Sequence, residues 1–117
     1  MGVAARFKKA TTEVIDYAIR LRATVDEQGA LIKALLAHPM ESGFRRNAAG
    51  EVAPAHYITE ISLSINGAVV TKVLTGSGIA TDPLFGWRIA GVQRGDTVTV
   101  AWRDNLGNTH AKDTRAQ

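Results

Sequence analysis

The segment "LLAHPMESGFRRNAAGEVAPAHYI", residues 35–58, gathers the residue types that chemistry would use. His38, Met40, Glu41 and His56 form a mixed soft and borderline donor set of the kind copper or zinc accepts, provided the loop between them folds back on itself. The spacing does not support that reading, because neither His-x₃₋₅-His nor Cys-x₂-Cys occurs. Pro39 and Pro54 fix the entry and exit angles of a shaped loop, and His38 and His56 then satisfy loop backbone groups through their ring nitrogens. That second account is preferred, so no metal site and no cofactor are expected. Catalysis has less support still. Ser42 with His38, or Ser77 with His110, can be drawn as nucleophile and base, but the chain has no G-x-S-x-G elbow. The glycines of "TGSGIATDP" lack the strand-to-helix setting of a phosphate-binding loop.

The chain has 117 residues, enough for one core, and no cysteine. A cysteine-free chain has no disulfide, no thiolate ligand and no thiol on which to carry a covalent intermediate. The apolar runs are too short to cross a bilayer, and "MGVAARFKKATTEVIDYA" has basic residues with no apolar stretch behind them, so it lacks the centre of a secretory signal. A formal charge of +3, with acids interspersed and few aromatics, does not make a nucleic-acid surface.

The elements that must position the loop are strands. Ile19, Leu21, Ala23 and Val25 alternate with polar residues and stop at "DEQG". "ALIKALLAH" has the composition of a helix, yet it is short, alternates at Ala30, Ile32, Ala34 and Leu36, and ends at His38-Pro39, which predicts a strand. Ile61, Leu63 and Ile65 share a face before Asn66-Gly67, a strong hairpin signal, and "AVVTKVLT" follows as the partner strand. "PLFGWRIAG" places Phe85, Trp87 and Ile89 together. "TVTVAWR" alternates Val98, Val100 and Trp102 against threonines, and a last strand runs near Thr109 to Lys112. Short strands at even spacing predict an all-β sandwich of antiparallel strands with Trp87 and Trp102 inside. Residues 1–17 form an extension, either a frayed tail or a short helix begun by Thr11 or Thr12, and residues 18–114 form the domain.

"AHPMESGFRRNAAGEVAPAHYITEI", the Asn-Gly hairpin, "GSGIATDPLF" and "GDTVTVAWRDNLGNT" in this order resemble the SoxZ family over about Arg20 to about Thr109. The resemblance implies an immunoglobulin-like β-sandwich. It further implies a non-catalytic subunit paired with SoxY, whose cysteine carries sulfur intermediates among the Sox enzymes of periplasmic thiosulfate oxidation. Export with SoxY would explain a periplasmic subunit without its own signal peptide. The loop then becomes the expected partner contact, with Met40 and Phe44 as apolar anchors and Arg45 and Arg46 as a charged rim. Met40 and Phe44 have a bland alternative, which is to fold back and plug the end of the sandwich. The rival function from another class is a periplasmic copper-binding protein using His38, Met40 and His56; an enzyme acting alone ranks third.

Overall fold

A computed structural model describes residues 16–117, and among these all regular structure is β-strand. The seven strands are β1 (Ile19–Asp26), β2 (Gly29–Leu36), β3 (Ile58–Ile65), β4 (Ala68–Leu74), β5 (Leu84–Ile89), β6 (Thr97–Asp104) and β7 (Thr109–Arg115). They form two antiparallel sheets, ordered β1-β2-β5 and β4-β3-β6-β7, which face each other as an immunoglobulin-like sandwich. Residues 1–15, and with them the choice between tail and helix at Thr11 or Thr12, lie outside the described residues.

Alternation decides the strands. In β2, Ala30, Ile32, Ala34 and Leu36 are wholly enclosed, because this strand is paired on both sides and its inner face meets the opposite sheet. Burial of four residues at period two outweighs the helical preference of Ala and Leu, which is worth only tenths of a kcal/mol per residue. Across the sandwich, Ile58, Ile61, Leu63, Val98, Val100 and Trp102 supply the other half of the core. Trp102 is enclosed as expected, whereas Trp87 is only half-buried. β5 has a partner on one side alone, so its aromatic face reaches the rim of the sandwich, where Phe85 and Trp87 stack with ring centroids 6.2 Å apart.

Two turns show why their residues are there. Asn66 and Gly67 have φ of 51° and 86°, the pair of positive angles a tight hairpin requires. Asn66 also ties the hairpin to β6: its Nδ2 donates to Asp96 Oδ1 at 3.1 Å, and its Oδ1 accepts from Thr97 N at 2.9 Å. Gly29, with φ of 110°, starts β2 against the end of β5, where a Cβ would stand 2.2 Å from the Ile89 carbonyl oxygen. β7 is longer than its sequence suggests, and the chain beyond it pairs with β1. Gln117 N donates to Ala23 O, and Val25 N donates to Gln117 O, which sews the two sheets together along one flank.

Candidate functional site

β2 delivers His38 to the end of the sandwich. There the backbone of His38 is gripped by the segment before β5: His38 N donates to Asp82 Oδ1 at 2.9 Å and Asp82 N donates to His38 O at 3.1 Å. Thr81 Oγ1 donates to Pro39 O. The chain then leaves the sandwich and returns, closed by reciprocal backbone bonds between Glu41 and His56 and by a second bridge between Arg46 and Val52. Pro39 and Pro54 stand at the two ends of this excursion, as the sequence suggested. The return brings His56 to within 4.6 Å of His38, centroid to centroid.

Both imidazoles point at Asp104, the last residue of β6. His38 Nε2 lies 3.0 Å and His56 Nε2 lies 2.8 Å from Asp104 Oδ2. Asn108 Nδ2 donates to the same oxygen, while Oδ1 accepts from the backbone N–H groups of Leu106 and Asn108. The carboxylate therefore accepts five hydrogen bonds with no solvent contact of its side chain. Burial alone would raise its pKa, but the bonds from His38, Asn108 and His56 outweigh it and hold the group at about 2. It is an anion at every pH the protein meets in a cell.

The tautomer of His38 follows from its neighbours. Its Nδ1 accepts the backbone N–H of Met40 at 3.0 Å, so the ring proton sits on Nε2 and is donated to Asp104. Burial pushes the His38 pKa down and outweighs the hydrogen bond to Asp104, which acts to raise it; the proximity of His56 lowers it further. Tyr17 covers the cluster. Its ring packs 5.1 Å from Trp102 and 5.6 Å from His38, and its hydroxyl lies 3.3 Å from His56 Nε2 and 3.4 Å from Asn108 Nδ2. Burial, and then the Asp104 charge, raise the Tyr17 pKa.

His38, His56 and Asp104 bring one ligand atom each within 4.8 Å of one another, which is the geometry a cation would require. The donor chemistry does not fit one. His38 would have to give up the Nε2 proton while its Nδ1 is already an acceptor, which leaves an imidazolate. The sulfur of Met40 is likewise in use, accepting the N–H of Ile58 at 3.3 Å. The cluster satisfies itself: it is a clasp joining the segment before β1, the loop and the β6–β7 turn. The candidate nucleophile Ser42 is also engaged elsewhere, its Oγ accepting from Phe44 N.

The four loop residues singled out from the sequence separate. Met40 is 6% exposed and Phe44 82%. Met40 adopts φ of 48°, held there by its N–H bond to His38, and this turn sends the side chain into the core. The loop's exposed apolar surface is therefore Phe44 with Val52, and Met40 takes the plugging role. Arg45 forms a forked ion pair with Glu41, with Nη2 to Oε2 at 2.9 Å, and Arg46 Nη1 donates to Gly50 O at 2.9 Å. Asp104, Asn108 and Tyr17 were not singled out. The only local signal is "DNLGN", an aspartate closing a strand with an asparagine four residues on, and His38 lies 66 residues away from it.

The described chain is thus an immunoglobulin-like sandwich whose buried polar centre ties the segment before β1, the loop and the β6–β7 turn together. Its family is narrower than its fold. The model for "Sulphur oxidation protein SoxZ" matches residues 19–115, most of the chain, and the chain belongs to the SoxZ family. A search of curated proteins finds no match.

Proposed function

We propose that this chain is the non-catalytic partner of SoxY in the periplasm, holding SoxY in a heterodimer while SoxY's cysteine carries sulfur intermediates between the Sox enzymes. The observation that carries the reading is the family match across residues 19–115, in a chain that has no cysteine. A chain without a thiol can serve a thiol-borne pathway only through a partner that has one. Phe44, 82% exposed on a loop that its bridges hold in shape, is the group we assign to SoxY contact, with Arg45 and Arg46 beside it. The pair meets the other Sox proteins only transiently.

The test is direct. Incubated with thiosulfate and the Sox enzymes, the purified chain acquires no sulfur adduct by intact-mass spectrometry, and with SoxY present the adduct appears on SoxY's cysteine alone. An adduct on this chain, or no stable complex with SoxY, overturns the reading. Phe44→Ser weakens SoxY binding at least about tenfold, roughly 1.4 kcal/mol, with the melting temperature of the lone chain unchanged. The copper alternative predicts stoichiometric, tight uptake of Cu(II) abolished by His38→Ala; titration calorimetry on the chain is expected to show none.

A further inference from the structure

The outer face of the β1-β2-β5 sheet carries a pattern that the fold does not use. Reading across the strands, the first row is Arg20, Leu35 and Leu84, and the second is Arg22, Lys33 and Gly86. Arg22 and Lys33 are directly opposite, a like-charge pair that costs stability in an antiparallel sheet. Among the described residues none of Arg20, Arg22 and Lys33 has an ion-pair partner. Asp26, at the end of β1, is taken by Arg88 at 2.8 Å. Asp16 and Asp82 share a groove with Arg20, and each accepts a backbone N–H on Oδ1, from Ala18 and His38 respectively, without forming an ion pair with Arg20. Beside these cations, Leu84 is 64% and Leu35 37% exposed, and they are register partners. Together with Leu21 the five side chains line a groove of about 290 Å³.

We infer that this face is the charged half of the SoxY interface, and that SoxY meets it with an apolar centre on Leu35 and Leu84 and carboxylates on Arg20, Arg22 and Lys33. The inference rests on the SoxY reading above and adds the surface and its chemistry. Charge complementarity selects the occupant: three cations without an ion-pair partner among the described residues, around exposed leucines, suit an acidic protein surface. A single-stranded nucleic acid would want an aromatic stacking platform, and this face presents none among its outward residues. Position agrees. The row of Arg20, Leu35 and Leu84 lies at the end of β2 from which the Phe44 loop departs, so loop and face adjoin. Size agrees as well. Three strands of six to eight residues give a face of about 26 by 14 Å, or on the order of 350 Å². A standard interface takes ~800 Å² from each partner, so the face requires the loop to complete it.

The experiment uses the full chain and purified SoxY, with calorimetry at several salt concentrations and zero-length carbodiimide cross-linking read by mass spectrometry. The expected results are a Lys33 cross-link to an Asp or Glu of SoxY, and at least tenfold weaker binding for Arg22→Glu with Lys33→Glu, with most of the salt dependence gone. Leu35→Ser with Leu84→Ser is expected to weaken binding similarly at every salt concentration. All four positions are exposed, so circular dichroism melts should match the wild type. If the wild-type chain binds SoxY while both double variants bind equally well and no Lys33 cross-link forms, the face is wrong and the SoxY reading stands. Failure of the wild type to bind SoxY overturns both. Binding of anionic vesicles or single-stranded DNA that depends on Arg22 and Lys33, with SoxY affinity unaffected by them, also overturns the inference.

Discussion

Asp104 and His38 make the fold sensitive to acid in two steps of the same sign. His38 keeps a depressed pKa in the folded chain, so as pH falls through its ordinary value of about 6.5 the unfolded chain takes up a proton that the folded one refuses. The His38 contribution is fully present above that pH and declines below it. Asp104, held at about 2, contributes fully above about pH 4 and loses its share as pH falls from there towards 2. A depression from 3.8 to about 2 corresponds to roughly 2–3 kcal/mol. The carboxylates of Asp26, which is exposed, and of Glu41 and Asp96, which are partly exposed, shift in the same direction, but contact with solvent keeps their effect small. Denaturant unfolding between pH 7 and 2 should show stability falling in both windows; a flat profile from pH 7 to 5 would contradict the His38 assignment. Nitrogen chemical shifts of the His38 ring should report the Nε2–H form at neutral pH. Asp104→Asn offers one acceptor oxygen to five donors and should cost about 3–5 kcal/mol, the range for breaking a buried charged pair.

At the scale of elements, the strands with an enclosed face were readable in the sequence and those at the margins less so. β1, β2, β3 and β6 each bury every second residue at least in part, and that alternation is what periodicity detects. β7 is "THAKDTR", exposed along most of its length, and it exists because β6 offers it a ladder. The loop's shape was legible from Pro39 and Pro54, but its closure was not, because His38, His56 and Asp104 meet only through strand register. Met40 was ambiguous for a related reason: its direction depends on a positive φ fixed by a neighbouring side chain. Trp102→Ala should cost about 3–5 kcal/mol, as for other enclosed aromatics. Gly29→Ala should cost roughly 2–3 kcal/mol, since the site combines a left-handed φ with a backbone atom in the way, whereas Gly76→Ala, with open space around it, should be nearly silent. Chemical denaturation of the three variants checks the ranking.

Taken whole, the molecule has one core spanned by both sheets, with the clasp at one end and the Gln117 pairing along one flank. Neither sheet has a second core to retreat to, so the domain should unfold in a single cooperative transition. Near-ultraviolet dichroism reports Trp102 and Tyr17 packed beside the histidines, and far-ultraviolet dichroism reports the strands. The two melting curves should superimpose. A clasp signal lost several degrees before the strands would mean that the loop end is a separate cooperative unit.

Asn66 gives the chain a clock. An asparagine followed by glycine ages when the next backbone nitrogen attacks the side-chain amide and expels ammonia, and water then opens the cyclic imide to aspartate or isoaspartate. Here the amide is held at both ends, by Asp96 and by the Thr97 N–H, and this attack must wait until the hairpin lets go. The rate at which an acidic form accumulates in stored protein therefore counts openings of the β3–β4 turn. Once formed, the new carboxylate faces Asp96 in place of a donor, so each molecule that ages once should open more readily afterwards.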